Sequence, residues 1–448
     1  MTLRFAYSWL IRCAVPAALA VLLWRGLADR SYWRGLAQRL GFGASLQTPC
    51  LWLHAVSLGE MSAAAPLLRA LRRRYPQLPL VVTTATPAGK ARAEALLPPG
   101  ADIRFLPYDT PGSVRRFLAR IQPRAAVIME TELWPNLLRE CERRGVPVLL
   151  ASARLSAKSV SRYQRFGALF AGVFTPNLTV AAQTSDDAAR FRSIGAAAGQ
   201  VHVTGNVKFD LELAADVIQA GHELRAALGA RRPVWIAGST HAGEEEQVLD
   251  AQALLQSARP DALLVLVPRH KDRFAAVADL LTRRGVDFVR RSQMPPGAPP
   301  LPIDTPQPIP PPVLLADTVG ELALLYACAD VAFVGGSLVP IGGHNLLEPA
   351  ALGLPVLTGP SFQNSREIAR LLLDRGAALQ VNSAAELAAA LQRLLADAVE
   401  RRRIGGIGQA IVAANRGSVE RLMILIAPWL PAAHPSAAAA QAYPSADH

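Results

Sequence analysis

Short apolar runs that favour β-strands alternate with helical patterns along most of this 448-residue chain. Such alternation is typical of parallel sheets whose two faces are covered by helices. The predicted strands form two series, residues 51–56, 80–84, 103–106, 125–129, 146–151 and 179–182, and then 234–237, 263–267, 287–289, 331–334 and 356–357. A closed barrel of the TIM type needs fewer strands. The pattern therefore predicts an α/β protein with two doubly wound domains.

The predicted boundary between the two domains lies near residues 207–232, where a helical stretch leads into Arg231-Arg232-Pro233. Proline is dense over residues 292–312, which predicts an extended loop. We divide the chain into an N-terminal segment, a first domain, a second domain and a disordered tail, at residues 1–30, 31–212, 213–430 and 431–448. Ligands of open α/β sheets bind beyond the carboxyl ends of the strands, so we expect the site in a cleft between the two domains.

The N-terminal segment is hydrophobic but contains charges. Arg4 and Arg12 interrupt it, and the uninterrupted run over residues 13–24 is shorter than the ~20 residues that span a bilayer. No small-residue cleavage site follows, which disfavours a removed signal peptide. Three interpretations stay open: a signal-anchor whose arginines snorkel, a helix in the membrane interface, or a buried structural helix. The arginines that follow the segment predict that the rest of the chain stays on the cytoplasmic side.

The chain is strongly basic, with a net charge of +12 and a pI near 10.2. Such a charge suits nucleic acid, anionic lipid or a phosphorylated substrate. No helix-turn-helix, zinc-finger or RNP-type signature is present and aromatic residues make up 6%, which argues against nucleic acid as a partner. Between residues 25 and 74, arginines far outnumber the acidic residues Asp29 and Glu60. This basic region beside the hydrophobic segment predicts an anionic membrane surface as a partner.

Several common site types are missing from the sequence. The four cysteines are scattered without a CxxC pair, which is typical of free thiols in a reducing compartment. No His/Asp cluster has the spacing of a metal site. Neither GxGxxG after a strand nor GxxxxGK[ST] occurs, which argues against a dinucleotide oxidoreductase and a P-loop NTPase.

A glycine-rich segment, residues 333–360, reads FVGGSLVPIGGHNLLEPAALGLPVLTGP. It predicts a strand, a glycine-rich loop, a helix opened by His344 and Asn345, and a second strand. The free N–H groups and positive dipole end of a helix N-terminus suit a phosphate, and glycines let a ligand approach the backbone. Glu348, inside this helix, can accept hydrogen bonds from two ribose hydroxyls. An ordinary αβ unit with glycine-rich turns is the alternative interpretation.

In the first domain, charged residues follow predicted strands. Glu60 begins a helix after the first strand, either as a general base or as an acid favoured by the helix dipole. Glu130 and Glu132 follow the fourth strand, where they can orient a hydroxyl or cap the next helix. Lys208 lies at the domain junction and either contacts a phosphate or carboxylate or is simply solvated.

The second domain adds further polar groups after strands. His241 ends the stretch Gly238-Ser239-Thr240-His241 after one strand, and Pro268-Arg269-His270 follows the next. Arg269 can bind a phosphate in a bidentate way. The turn Val319-Gly320-Glu321 opens another helix and offers further N–H groups. Together these residues favour transfer from a nucleotide-activated donor to a lipid.

Five motifs closely resemble those of the 3-deoxy-D-manno-octulosonic acid (Kdo) transferases of lipopolysaccharide biosynthesis. They are LWLHAVSLGE (51–60), VIMETELWPNLL (127–138), TGNVKFD (204–210), VPRH (267–270) and FVGGSLVPIGGHNLLEPAALGLPVL (333–357). The match runs in order from the N-terminal segment to about residue 428. The resemblance implies a GT-B glycosyltransferase that moves Kdo from CMP-Kdo to the lipid A precursor, lipid IVA, with inversion. It also implies a single N-terminal anchor on the cytoplasmic side of the inner membrane.

The resemblance also implies roles for individual residues. Glu60 matches the catalytic base, in an acceptor-binding first domain, and Glu130 and Lys208 match residues that stabilise the transition state. The second domain would bind CMP through Pro268, Arg269, Val319, Gly320, Glu321, Asn345, Leu346, Leu347 and Glu348. No metal and no other cofactor is expected, because arginine, lysine and helix N-termini can neutralise the CMP phosphate.

Two other functions are compatible with parts of the sequence. A GT-B transferase could use a UDP-sugar donor, such as a UDP-hexosamine, on a lipid acceptor. A membrane-associated module could sense a nucleotide without catalysis. The presence of Glu60, Glu130 and Lys208 in separate motifs argues against the second alternative.

Overall fold

A computed structural model of the chain describes residues 3–170, 172–294 and 311–432. The chain forms two compact α/β units, of which the first runs to Asp210 and resumes at Asn415, and the second is Leu211–Ala414. Two doubly wound domains were predicted, and this fold class is confirmed. Most of the predicted proline-dense loop and tail, residues 295–310 and 433–448, lies outside the described residues.

The first unit contains two N-terminal helices, α1 (Leu3–Ala28) and α2 (Leu36–Arg39), and a parallel sheet. Its described strands are β1 (Cys50–His54), β2 (Leu80–Thr84), β3 (Asp102–Phe105), β4 (Pro123–Met129), β5 (Val148–Ala153), β6 (Leu178–Ala182) and β7 (Val201–Val203). The helices between them are α3 (Leu58–Arg74), α4 (Pro87–Leu96), α5 (Pro111–Ile121), α6 (Pro135–Arg143), α7 (Ala157–Arg165), α8 (Gly167–Phe170) and α9 (Ser185–Ser193).

The strand order of this sheet is β3-β2-β1-β4-β5-β6-β7. The chain starts in the middle at β1, moves to one edge, and returns to β4 on the other side of β1. The direction of winding therefore changes between β1 and β4. At such a switch point the loops that leave the two strands diverge and open a crevice for a ligand.

The second unit repeats this architecture. In chain order it contains α10 (Ala215–Gly229), β8 (Val234–Thr240), α11 (Glu245–Ala258), β9 (Leu263–Pro268), α12 (Arg273–Arg283), β10 (Phe288–Arg290), β11 (Val313–Leu315), α13 (Leu322–Ala327), β12 (Val331–Val334), α14 (Leu347–Ala351), β13 (Val356–Thr358), α15 (Arg366–Asp374), β14 (Ala378–Gln380), α16 (Ala384–Ala396) and α17 (Ala398–Ala414). The parallel strands lie in the order β10-β11-β9-β8-β12-β13-β14, so the switch point lies between β8 and β12.

Each sheet buries a tryptophan on the strand that starts it. Trp52 on β1 and Trp235 on β8 are fully buried. Their indole N–H groups donate to Thr83 Oγ1 at 2.8 Å and to Gln252 Oε1 at 2.7 Å. A buried indole whose N–H has a partner adds apolar area without an unsatisfied donor. Replacing either tryptophan by alanine would lower the free energy of unfolding by about 3–5 kcal/mol. These two strands therefore contribute strongly to the stability of their units.

The last described helix, α18 (Ser418–Ile426), belongs to the first unit. Its residues Leu422, Met423 and Ile426 are buried in the same hydrophobic cluster as Met61 of α3. The carboxylate of Asp210 accepts hydrogen bonds from the backbone N–H groups of Gly417 and Val419 at the start of this helix. The predicted second domain, 213–430, therefore differs from the second unit at its C-terminal end, because the apolar face of α18 completes the first core.

The predicted N-terminal hydrophobic segment is one continuous helix, α1, and Arg12 does not break it. Within the described part of the chain it is the one helix long and apolar enough to cross a membrane, over Phe5–Ala28, with a mean hydropathy of 1.7. A signal sequence has the same length and composition. The side chains of Trp24 and Leu27 are 71% and 74% exposed, which excludes the alternative of a buried structural helix.

Candidate functional site

In the first unit, the loop after β1 holds Glu60 at the start of α3. Ser57 is the N-cap of α3, and its hydroxyl accepts a hydrogen bond from Glu60 N at 3.3 Å. The Glu60 carboxylate reaches back, so that Oε2 accepts from Val56 N at 2.8 Å and Oε1 from the Ser57 hydroxyl at 3.2 Å. This reciprocal arrangement is a form of capping box, and it fixes the direction of the carboxylate.

Glu130 lies across the switch point, directly after β4. Its φ of 56° is in the left-handed region, which a non-glycine residue rarely adopts. Its backbone N–H donates to Ala151 O at 2.9 Å, which holds the turn in place. Backbone strain of this kind persists only where the surrounding structure imposes it, and it concentrates at functional sites.

Lys208 follows β7 on a short helical turn, Val207–Phe209. Asn206 caps the turn, since its Oδ1 accepts from Lys208 N at 3.0 Å, and Asn206 Nδ2 donates to Gln183 Oε1 at 2.9 Å. Val207 is buried in the hydrophobic cluster that contains α3 residues. The cap and the buried valine therefore hold the lysine beside α3.

These three groups interact electrostatically. Burial, and to a smaller extent the negative charge of Glu130, raises the pKa of Glu60. The hydrogen bond from Val56 N–H and the positive charge of Lys208 lower it. The structure thus brings together the three residues that the sequence predicted as catalytic. Their catalytic roles remain predictions.

A third carboxylate joins the group. Burial and the charge of Glu60 raise the pKa of Glu132 to about 7; the Trp134 indole opposes the rise and Glu130 adds to it. At neutral pH, Glu132 is therefore close to half protonated, whereas an ordinary glutamate is fully ionised. Glu132 was noted in the sequence beside Glu130 but was absent from the predicted catalytic set, because spacing alone carries no information about burial.

In the second unit, three histidines meet at the switch point. His241 follows β8, His270 follows β9, and His344 lies on the loop after β12. The Nε2 atoms of His241 and His344 are 2.7 Å apart with the rings stacked, and the ring centroids of His241 and His270 are 5.5 Å apart. Burial and the charge of Arg269 lower the pKa of His344 to about 4. Burial and the charge of His270 lower the pKa of His241, so both rings of the close pair are neutral at pH 7.

The first glycine pair of the segment after β12 does not present its backbone to a ligand. The buried carboxylate of Glu244 accepts hydrogen bonds from the N–H groups of Gly336, Ser337 and Leu338, at 2.7, 3.0 and 2.9 Å. A Cβ added at Gly335 would lie 2.7 Å from Glu244 Oε2, so the glycine makes room for this carboxylate. We expected these glycines to let a ligand approach the backbone, and this expectation is corrected: the backbone N–H groups bind Glu244 instead. The sequence alone assigned no role to Glu244.

The helix after the second glycine pair begins at Leu347, later than the predicted start at His344 and Asn345. Asn345 instead precedes it, with Oδ1 accepting from Leu347 N at 3.1 Å and Nδ2 donating to Glu348 Oε1 at 2.8 Å. Burial raises the pKa of Glu348, while Asn345 and the charge of Arg269 lower it. Arg269, Asn345 and Glu348 are thus brought together.

The other predicted CMP contacts differ in what they can offer. The side chains of Leu346 and Leu347 are buried, so these residues can reach a ligand only through their backbone. Pro268 ends β9 and precedes the exposed Arg269. In the turn Val319-Gly320-Glu321, the Glu321 carboxylate accepts hydrogen bonds from Arg291 Nη2 at 2.7 Å and from the Thr318 hydroxyl.

Comparison with known proteins follows the same motifs. Residues 34–211 match the family described as 3-deoxy-D-manno-octulosonic-acid transferase (kdotransferase). A 3-deoxy-D-manno-octulosonic acid transferase of Haemophilus influenzae is 39% identical over 431 residues, which cover 95% of this chain and 99% of that protein. The chain belongs to the Kdo transferase family. Another member, from Bordetella pertussis, is 40% identical over 397 residues, 86% of this chain and 89% of that protein. The family inferred from the five motifs is confirmed.

A solved structure agrees with the Kdo transferase fold. The UDP-GlcNAc 2-epimerase of Neisseria meningitidis matches 85% of this chain and 100% of its own with a TM-score of 0.53 at 13% identity. At that identity the likeness concerns the fold alone. It supports the two-domain GT-B architecture that the family resemblance implied.

Within the described residues, no group of three or more His, Cys, Asp or Glu side chains is arranged to hold a metal ion. The expectation that a Kdo transferase of this kind works without a metal or other cofactor stays a prediction. Positive charge lies beside each carboxylate cluster, from Lys208 near Glu60 in the first unit and from Arg269 near Glu348 in the second.

Proposed function

We propose that this chain transfers Kdo from CMP-Kdo to the lipid A precursor lipid IVA, with inversion at the anomeric carbon and with Glu60 as general base. The observation that carries the proposal is the cluster of Glu60, Glu130, Glu132 and Lys208 at the switch point of the first unit. A buried group of like charges beside one ammonium is an arrangement that tunes a carboxylate for proton transfer.

The chemistry assigned to Glu60 is removal of a proton from an acceptor hydroxyl. As that oxygen attacks the anomeric carbon of Kdo, its proton passes to the carboxylate and the bond to the CMP phosphate breaks. Burial brings the pKa of Glu60 upward, toward the range in which a general base is most effective. The hydrogen bonds from Val56 N and Ser57 Oγ hold the carboxylate in one orientation, so little reorganisation is needed.

Lys208 and Glu132 support this role in different ways. The ammonium of Lys208 lowers the pKa of Glu60 and so favours the ionised form that a general base requires. Glu132, with a pKa near 7, can hold a proton and so removes one negative charge from the cluster. A protonated Glu132 also limits the repulsion that a carboxylate-bearing sugar such as Kdo would meet.

In the second unit we assign the donor site to Arg269, Asn345 and Glu348. The exposed guanidinium of Arg269 can bind the single phosphate of CMP and neutralise its charge as it leaves. Glu348 is oriented by Asn345 and can accept hydrogen bonds from the ribose hydroxyls. The neutral rings of His241 and His344 add hydrogen-bonding atoms without a competing charge.

We also assign α1 to the cytoplasmic face of the inner membrane. Its exposed apolar residues and the arginine-rich region that follows support attachment to a bilayer that contains anionic lipids. A lipid acceptor requires the enzyme at that surface.

The test is incubation of the full-length protein with CMP-Kdo and the tetra-acylated, bisphosphorylated lipid A precursor, followed by mass analysis of the product. We expect Kdo addition, inhibition by CMP and not by UDP, and full activity in EDTA. Glu60→Gln should lower turnover by about 10²–10⁴-fold while CMP binding persists. Inhibition by UDP alone would favour a UDP-sugar donor, and near-normal turnover of Glu60→Gln would refute the assignment of the base.

A further inference from the structure

Helices α1, α5 and α6 of the first unit enclose a cavity of about 460 Å³. Each helix contributes residues from one face, among them Phe5, Trp9, Arg12, Arg115, Arg139 and Arg143. None of Glu60, Glu130, Glu132 and Lys208 lines this cavity. A second cavity, of about 500 Å³, shares Arg139 and Arg143 with the first and extends the concave surface along α6.

Polar contacts fix α1 as one wall of the cavity. The Tyr7 hydroxyl donates to Asp109 Oδ2 and the Ser8 hydroxyl donates to Asn136 Oδ1, both at 2.9 Å. Asp109 in turn caps α6, since its carboxylate accepts from Asn136 N at 3.1 Å and Leu137 N at 2.8 Å. The first turns of α1 are therefore tied to the N-terminal end of α6, and the cavity is a built feature of the unit.

The cavity carries an excess of unpaired positive charge. Arg143 donates to Glu140 Oε1 at 2.7 Å, and the same oxygen accepts from Arg144 Nε at 2.8 Å. In contrast, across the described part of the chain the guanidinium groups of Arg12, Arg115 and Arg139 make no hydrogen bond or ion pair. Guanidinium groups that converge on one concave volume suit a phosphate, which each can bind through two parallel N–H···O bonds.

The helix that forms this wall also has an exposed apolar face. Buried or partly buried residues recur along its length at positions 7, 8, 11, 15, 18, 19, 22 and 26, which is a helical stripe that faces the protein. On the remaining surface Trp9, Leu10 and Trp24 are 61%, 65% and 71% exposed. Tryptophan is enriched where apolar side chains meet the lipid headgroups, and Trp9 lies at the cavity itself.

We propose that the cavity between α1, α5 and α6 binds the phosphate headgroup of an anionic membrane phospholipid, while the apolar face of α1 lies in the bilayer interface. The guanidinium groups of Arg12, Arg115 and Arg139 bind the phosphate oxygens, and Phe5 and Trp9 contact the adjoining acyl region. This inference rests on the membrane attachment of α1 proposed above. The occupant is a bulk phospholipid because α1 forms one wall of the cavity, and the cavity excludes the four residues assigned to sugar transfer. This site would orient the first unit on the membrane.

The test is binding of the full-length protein to vesicles of phosphatidylcholine, alone or mixed with phosphatidylglycerol. The variant is R12Q/R139Q, and the matched control is R283Q/R403Q, which removes the same charge from exposed positions on α12 and α17. We expect the cavity variant to lose at least about tenfold in affinity for the mixed vesicles and little for phosphatidylcholine alone, whereas the control keeps its affinity. Thermal unfolding of both variants in detergent should match the parent chain.

Three outcomes would overturn the proposal. One is equal loss in the control, which would show attraction by net charge. Another is unchanged binding of R12Q/R139Q to the mixed vesicles. The third is unchanged vesicle binding with a raised KM for the lipid A precursor in detergent micelles, which would assign the cavity to the acceptor. Arg139→Lys keeps the charge but loses the bidentate geometry, and we expect it to lie between the parent chain and Arg139→Gln.

Discussion

The Nε2 atoms of His241 and His344 lie 2.7 Å apart, so one of these nitrogens carries a hydrogen and the other accepts it. This contact requires at least one neutral ring, and the nearby Arg269 favours neutrality in both. The pair joins the loops after β8 and β12, which begin on either side of the switch point. It is therefore a pH-sensitive contact within the proposed donor site.

We predict that His344 makes the stability of the protein fall as the pH is lowered. Its pKa is about 4 in the folded state and near 6.5 in the unfolded state, so the unfolded chain binds the extra proton first. The loss runs from about pH 6.5 to about pH 4 and amounts to about 2 kcal/mol after allowance for partial exposure. Urea unfolding of the parent chain and His344→Gln at pH 7.5 and 4 measures it. Parallel pH dependences in the two proteins would contradict this prediction.

Glu132 should give the transferase a titration step near neutral pH. Because its pKa is about 7, its ionisation adds a negative charge beside Glu60 in this range and raises the pKa of that base. In Glu132→Gln we expect the step near pH 7 in kcat/KM to disappear, and the remaining limb to reflect Glu60 alone. Glu142→Gln, an exposed glutamate on α6, is the control. A step that persists in Glu132→Gln must come from another group.

Replacing Lys208 with glutamine should affect both the rate and its pH dependence. The ammonium lowers the pKa of Glu60, so its removal should move the acidic limb of kcat/KM to higher pH. We also expect kcat to fall by about 10²-fold, because the charge that we propose to stabilise the transition state is lost. Lys271→Gln removes an exposed lysine of the second unit and serves as the reference. A fall in kcat without a shift of the acidic limb would show that Lys208 does not act through the pKa of Glu60.

Glu244 is predicted to hold the glycine-rich loop of the second unit. Glu244→Gln places an amide among backbone N–H donors that a carboxylate satisfied, and a buried polar mismatch of this kind costs about 2–4 kcal/mol. Urea unfolding should show this loss, and CMP affinity should fall with it. Glu223→Gln, on the exposed surface of α10, should leave both unchanged. An unaltered midpoint for Glu244→Gln would mean that the loop keeps its shape without the carboxylate.

A single cysteine is expected to react with thiol reagents. Cys13 is exposed on α1, whereas Cys50, Cys141 and Cys328 are buried, and burial raises each of their pKa values to about 12. A polarity-sensitive maleimide should label the native protein once, with no labelling of Cys13→Ser. On vesicles that contain phosphatidylglycerol, emission of the label should shift to shorter wavelength if α1 lies in the interface. Labelling of several thiols in the folded protein would contradict the described packing.

The fold was predictable from the sequence because the central strands are long apolar runs. The strands absent from the prediction, β7, β11 and β14, have three residues each, which leaves little periodic pattern to recognise. Strands β10 and β13 are equally short, and the prediction placed them from their apolar residues alone. Predicted site residues came together for a general reason: residues that follow parallel strands share one edge of the sheet. The sequence thus predicted Glu60, Glu130 and Lys208 for one site, but it could not predict the distances between them.

The burial of individual side chains and their tertiary hydrogen bonds could not be predicted from the sequence. Glu244 stands in an acidic run at a helix start, where a carboxylate ordinarily interacts with the helix dipole and solvent. Only the packed structure shows it binding three N–H groups more than ninety positions away in the chain. The protonation of Glu132 depends likewise on burial and on Glu60, which is far from it in sequence.

The return of α18 to the first unit has a consequence for biosynthesis. The second unit is inserted into the sequence of the first, and the core around Met61 is completed only after the ribosome has passed Ile426. The first unit must therefore wait, with apolar surface uncovered, while the inserted unit folds as an independent body. A chain released before residue 415 would keep the whole second unit and still lack part of the core that supports Glu60.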